Sequence, residues 1–130
     1  MCLRDIKGPF VATRDIVCYK HLRQDEKGQL RTSYQEMYVE LGETYDSDLI
    51  VNKFGGRYLK PYTEINIGLH SFFGIKNTIK DAKECFNPKA NVIVKCIIPK
   101  GSTYYKGKFE NLASRASNTL KYVEIIQKLD

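Results

Sequence analysis

The chain has no tryptophan, two methionines, two histidines and four prolines in 130 residues. Each scarcity removes a class of protein. So few prolines exclude a polyproline rod or a collagen-like chain. No stretch approaches the roughly 20 apolar residues of a membrane-spanning helix, so membrane insertion is not expected. The opening Met1-Cys2-Leu3-Arg4-Asp5 lacks the apolar core of a secretory signal, and a cytoplasmic protein is the expectation. The four cysteines, Cys2, Cys18, Cys85 and Cys96, have long irregular gaps and no Cys-x-x-Cys pair. A zinc site of the usual spacing and a disulfide framework are therefore both unexpected, and no cofactor is implied.

What is present is an ordinary globular composition, 42% hydrophobic and 28% charged, of a length that suits one domain over residues 1–130, with 1–9 as a flexible lead-in. Lys and Arg number 21 against 15 acidic residues, giving +6. Such a surplus favours anionic partners, a nucleotide or another small anion among them, although it also serves plain solubility. The basic residues form no continuous run, so a disordered nucleic-acid arm is excluded and a folded basic patch is not.

Arg14 to Leu22 (RDIVCYKHL) is rich in β-branched and aromatic types and reads as a strand. A turn at Gln24–Gly28 leads to a second strand, Leu30 to Leu41, in which Met37, Val39 and Leu41 alternate with polar neighbours. Gly42 to Tyr62 reads as a long surface loop. Thr63 to Phe73 reads as a short buried strand. Ile75, Ile79, Ala82 and Phe86 form one stripe of an amphipathic helix, stopped at Asn87-Pro88. Asn91 to Ile98 is apolar on both faces and belongs at the centre of a sheet, covered by the helix stripe. A turn at Pro99–Ser102, a polar excursion and a last strand from Thr119 to Gln127 complete the chain. The fold class is α+β: a mainly antiparallel β-sheet with one clear amphipathic helix.

The segment following Ile98 carries most of the candidate chemistry. Lys100, Lys106 and Lys108 can neutralise phosphate, amides near Gly101 can cradle an anion, and Tyr104 and Tyr105 can stack on a base. A soluble hairpin corner would use the same residues. Arg115, among the small polar residues of Asn111 to Asn118, offers a guanidinium fork to phosphate or carboxylate. His70 stands at a strand end, where a hydrogen-bonded structural role competes with a ligand contact. The candidate ligand-binding set is thus His70, Lys100, Ser102, Tyr104, Tyr105, Lys106 and Arg115, with no catalytic residue and no metal ligand.

Two likenesses attach to these motifs. GLHSF (Gly68 to Phe72), VIVKCIIPKGSTYYKG (Val92 to Gly107) and ASNTLKYVEII (Ala116 to Ile126) resemble small proteins of bacteriophages and prophages. The same order is similar, distantly, to the ADP-ribosyltransferase fold. That resemblance implies a nucleotide cleft, with Arg14 or His21, Ser71 and Glu124 at the positions of its three motifs. No Ser-Thr-Ser follows Gly68, and Tyr122 stands where an acidic or amide partner of Glu124 belongs.

Three functions follow as expectations. The first is a phage-type protein of the host cytoplasm that sequesters an anionic ligand, a nucleotide signal of host immunity, without turnover. The second is a divergent ADP-ribosyltransferase. The third is a basic interaction protein facing an acidic host or virion protein. A homo-oligomer is compatible with each.

Overall fold

The computed structural model describes residues 2–34, 36–58, 60–84 and 89–129. Twelve strands and one helix are described, in the order β1 (Arg4–Val11), β2 (Ile16–Gln24), β3 (Leu30–Thr32), β4 (Tyr38–Val39), β5 (Thr44–Asp46), β6 (Ile50–Phe54), β7 (Tyr62–Ile67), β8 (Leu69–Phe72), α1 (Ile75–Glu84), β9 (Val92–Ile98), β10 (Thr103–Phe109), β11 (Leu112–Ser117) and β12 (Thr119–Lys128). The α+β class holds: an antiparallel sheet dominates and one short helix packs on it. Among the described residues no helix is long and apolar enough to cross a membrane.

The main sheet runs β1-β10-β11-β8-β2-β9-β12-β5, with β3 on β2 and β4 on β3. Its halves, β1-β10-β11-β8 and β2-β9-β12-β5, meet where β8 and β2 share one register pair, Tyr19 opposite Phe72. The chain passes between the halves at Asn118, so β11 and β12 are nearly continuous yet pair with different neighbours. The Asn118 side chain accepts from the Thr103 amide at 3.0 Å. As expected, β9 is central, between β2 and β12. Val92, Val94, Cys96 and Ile98 are buried with Cys18, Leu22, Leu69, Leu120 and Tyr122 in the largest apolar cluster.

The helix, however, does not cover that cluster. Ala82 and Ile79 lie with Ala90 and Ile93, on the opposite face of β9. Nor does the Ile75-Ile79-Ala82-Phe86 stripe define the inward face. Ile75 is exposed and the buried residues are Thr78, Asp81 and Ala82. Polar side chains turn inward because they have partners: Thr78 donates to the Gly74 carbonyl at 2.8 Å, and Asp81 accepts from two side chains beneath the helix. Phe86 and the expected stop at Asn87-Pro88 lie outside the described residues.

Other boundaries also differ from the expectation. Leu30 to Leu41 is two short strands, β3 and β4, because Thr32 closes a turn. Its side-chain oxygen accepts from the Met37 amide at 3.0 Å and its carbonyl from the Glu36 amide at 3.1 Å. Only Val39 of the alternating trio is buried. The supposed loop Gly42 to Tyr62 contains β5, paired with β12, and β6, paired with β7 in a separate two-stranded sheet. Thr63 to Phe73 breaks at Gly68 into β7 and β8, which belong to different sheets. The polar excursion after Ser102 is β10 and β11, joined by Glu110 and Asn111, both left-handed at φ 50° and 65°, as a tight two-residue hairpin requires. Residues 4–9 lie in β1 along β10. Gly107 permits that pairing, since a Cβ there would stand 2.5 Å from the Arg4 carbonyl oxygen.

Candidate anion-binding site

Cross-strand register assembles the site. On β10 and β11, Lys106 faces Arg115 and Tyr104 faces Ser117; on β11 and β8, Arg115 faces Ser71. The β8–β2 junction then pairs Phe72 with Tyr19. Side chains alternate along a strand, so Ser71, next to Phe72, shares a face with Cys18 and Lys20, which flank Tyr19. Across β2 and β9, Cys18 faces Cys96 and Lys20 faces Val94. One polar row thus crosses the sheet through Lys106, Arg115, Ser71 and Lys20, passing over the junction between the halves.

The row is basic and under-partnered. Arg115 is partly buried, its guanidinium carbon 3.6 Å from the Phe73 ring centroid, and its buried Nε has no hydrogen-bond partner. Burial lowers its pKa, opposed only by Cys18 and Tyr104. Lys20 is partly buried, and loss of hydration pulls its ammonium below the ordinary lysine value, opposed only by Cys96 and Cys18. Among the described residues, no carboxylate contributes to either shift. Ser71 Oγ is buried and makes no hydrogen bond of ordinary geometry, although its hydroxyl bears on the Cys18 thiol. Burial pushes that thiol up to about 11 and Cys96 well above its ordinary value, so both stay protonated and weakly nucleophilic at neutral pH.

Of the expected residues, Tyr104, Lys106 and Arg115 come together. The Tyr104 ring is tilted against Phe10 at 5.5 Å, and the Lys106 ammonium lies 5.2 Å from the centre of the same Phe10 ring. The others do not join them. Tyr105 points to the opposite face and packs on Leu3, Ile65 and Ala116. His70 also lies on that face, buried, with Nδ1 3.1 Å from the Gly68 carbonyl and Nε2 3.0 Å from the Ile65 carbonyl. Burial outweighs both contacts and lowers its pKa to about 4. Lys100 and Ser102 sit in the turn after β9, which is not an anion cradle because its amides are spent internally. Lys100 N–H donates to Asp15 Oδ1, Gly101 N–H to the Ala12 carbonyl, Ser102 N–H to the Pro99 carbonyl and Thr103 N–H to Asn118 Oδ1.

Lys20 is the member that the sequence reading passed over. Its signal lay in Cys18-Tyr19-Lys20-His21-Leu22, where period two places a lysine among inward residues. The residues carried by the ADP-ribosyltransferase resemblance are dispersed: Arg14 and Glu124 are exposed, and Ser71 is buried in the row. His21 serves the helix side. Its Nε2 donates to Asp81 Oδ2 at 2.6 Å and its Nδ1 meets Ser33 Oγ at 2.7 Å. Ser33 donates its own proton to the His21 carbonyl at 3.0 Å, and Tyr34 donates to Asp81 at 2.7 Å. Though Ser, His and Asp meet here, the hydroxyl is committed to backbone and all three are buried, so the cluster is an anchor for α1.

Among the described residues, no group of three or more His, Cys, Asp or Glu gathers as metal ligands do. No protein-family model matches the chain, and comparison with curated proteins and with solved structures gave no match.

Proposed function

We propose that the protein binds a small anionic ligand, a nucleotide, along the row Lys106, Arg115, Ser71 and Lys20, and holds it without turnover. The observation that carries this reading is the pair Lys20 and Arg115, two partly buried cations on one face with no carboxylate beside them among the described residues. A buried charge without a partner is costly, and a phosphate supplies that partner through charge-assisted bonds. The Ser71 hydroxyl and the Arg115 Nε provide unspent hydrogen-bonding capacity in the same row. Phe73 and Tyr104 offer ring faces for a base. Sequestration without reaction accords with cysteine thiols kept in their protonated form. The resemblance to phage proteins adds the finer proposal that the ligand is a nucleotide signal of host immunity.

Calorimetry against ADP-ribose, NAD and cyclic dinucleotides tests the reading, together with mass spectrometry of anything released by heating the purified protein. Micromolar binding of one nucleotide, its recovery intact, and a loss of about tenfold or more in Lys20→Met and Arg115→Ala support it. Unchanged affinity in both variants, or no binding below about 1 mM, overturns it. Conversion of NAD would instead establish the transferase.

A further inference from the structure

The β6–β7 hairpin stands apart from the main sheet. It is attached through the Leu3–Ile65 bridge and the small cluster of Leu3, Ile65 and Ala116. Residues 49–63 (LIVNKFGGRYLKPYT) contain three cations, Lys53, Arg57 and Lys60, and no acidic residue. Three aromatic rings lie in the same stretch: Phe54 and Tyr62 are each 40% exposed and Tyr58 is 88% exposed. Phe54 and Tyr62 stack with centroids 5.5 Å apart and planes 24° from parallel. Guanidinium groups attend both tyrosines, Arg57 being 5.3 Å from the Tyr58 centroid and Arg4 5.1 Å from that of Tyr62. Beside the hairpin, a cleft of about 620 Å³ is walled in part by Arg4, Lys7, Lys60 and Tyr62, with Asp5 as its carboxylate.

Tyr58, at this exposure, gains almost nothing from burial, since a ring gains that way only when it is covered. Its flat face is available to another flat face. Interleaved cations and rings suit a chain that alternates phosphate and base. Bases offer their faces for stacking only when unpaired, which selects a single strand over a duplex. We infer that the β6–β7 hairpin is a single-stranded nucleic-acid-binding surface, with Phe54, Tyr58 and Tyr62 stacking on bases and Lys53, Arg57 and Lys60 meeting phosphates. This inference rests on residues outside the row that carries the proposed nucleotide site.

Fluorescence anisotropy of a labelled 20-nucleotide oligouridylate, titrated with the full chain at low and moderate salt, is the test. Binding should weaken as salt rises, because each phosphate contact on a single strand contributes about 0.7 to the log–log slope. Tyr58→Ala, at an exposed position that cannot unfold the core, should weaken binding roughly 5- to 150-fold. Arg57→Ala with Lys60→Ala should flatten the slope by about 1.4. Lys20→Met should bind the oligonucleotide as the wild type does, so failure here is separable from failure of the nucleotide site. Several results overturn the inference: no binding at low salt, equal affinity for duplex, or Tyr58→Ala indistinguishable from wild type. Loss in Lys20→Met as large as in Tyr58→Ala also overturns it. So does binding to phosphatidylserine vesicles without oligonucleotide binding, or a Tyr58-dependent dimer in its place.

Discussion

A lysine facing the interior of a sheet costs the protein stability until something negative meets it. Lys20 shares its face with Cys18 and Leu22, and its pKa is lowered by burial. The sign is clear. Below the ordinary lysine value of 10.5 the unfolded chain takes up a proton that the native state resists, so stability falls as pH drops toward the native pKa. Below pH 10.5 the partly buried lysine is therefore a burden on the ligand-free fold. Lys20→Met, which keeps the length and removes the charge, should raise the stability of the ligand-free protein by about 1–3 kcal/mol while removing nucleotide binding. Chemical denaturation read beside calorimetry checks both halves. A destabilised Lys20→Met would mean that the ammonium already has a partner.

His70 makes a second prediction at this scale. Its native pKa of about 4 lies below the unfolded value of 6.5. Between these values the unfolded chain binds a proton that the buried ring refuses, so stability is full above 6.5 and declines as pH falls toward 4. The loss attributable to this residue approaches roughly 3 kcal/mol. His70→Gln does not titrate, so its stability should fall less than the wild type's across that window. Parallel pH profiles would show His70 to be solvated if they emerged.

At the scale of elements, α1 is held by polar bonds more than by its apolar stripe. Asp81 accepts from His21 and Tyr34, and the helix's apolar contribution is Ala82 with part of Ile79. Asp81→Ala strips a buried imidazole of its acceptor and ends the Tyr34 contact, and should cost about 3–5 kcal/mol in a urea titration. Ile75→Ala, at an exposed position, should cost far less. This ordering reverses what hydrophobic periodicity alone implies, and it shows where the sequence is legible. β9 was readable because both its faces are apolar, and β2 because its residue types favour strands. The inward face of α1 was not, since Asp81 turns inward only to meet distant residues, His21 on β2 and Tyr34 in the turn after β3. β10 and β11 were obscured for another reason: their small and polar residues gain their places from cross-strand register, as Arg115 does between Lys106 and Ser71. Of the candidate site, the turn chemistry suggested lysines, but the Ala12 and Pro99 carbonyls and the Asp15 and Asn118 side chains had already consumed the amides that an anion would need.

At the scale of the molecule, the main sheet has a seam. Its halves share one register pair at Tyr19 and Phe72, whereas β2 and β9 share seven, from Ile16–Ile98 to Leu22–Val92. Arg115 and Ser71 belong to one half and Lys20 to the other, so a phosphate gripped by all three adds a bridge across the junction. Binding to the native state alone must stabilise the fold, by about 2.7 kcal/mol at a ligand concentration one hundred times Kd. The seam predicts where that effect is felt locally. Amides near Tyr19 and Phe72 should gain the most protection from hydrogen exchange on adding the nucleotide, while those of the β6–β7 hairpin should gain little. Lys20→Met should erase the local protection even at ligand concentrations that restore partial occupancy, because the remaining contacts, on β8, β11 and β10, then lie in one half alone. Uniform protection throughout the chain, or protection confined to the hairpin, would place the ligand elsewhere than across the seam.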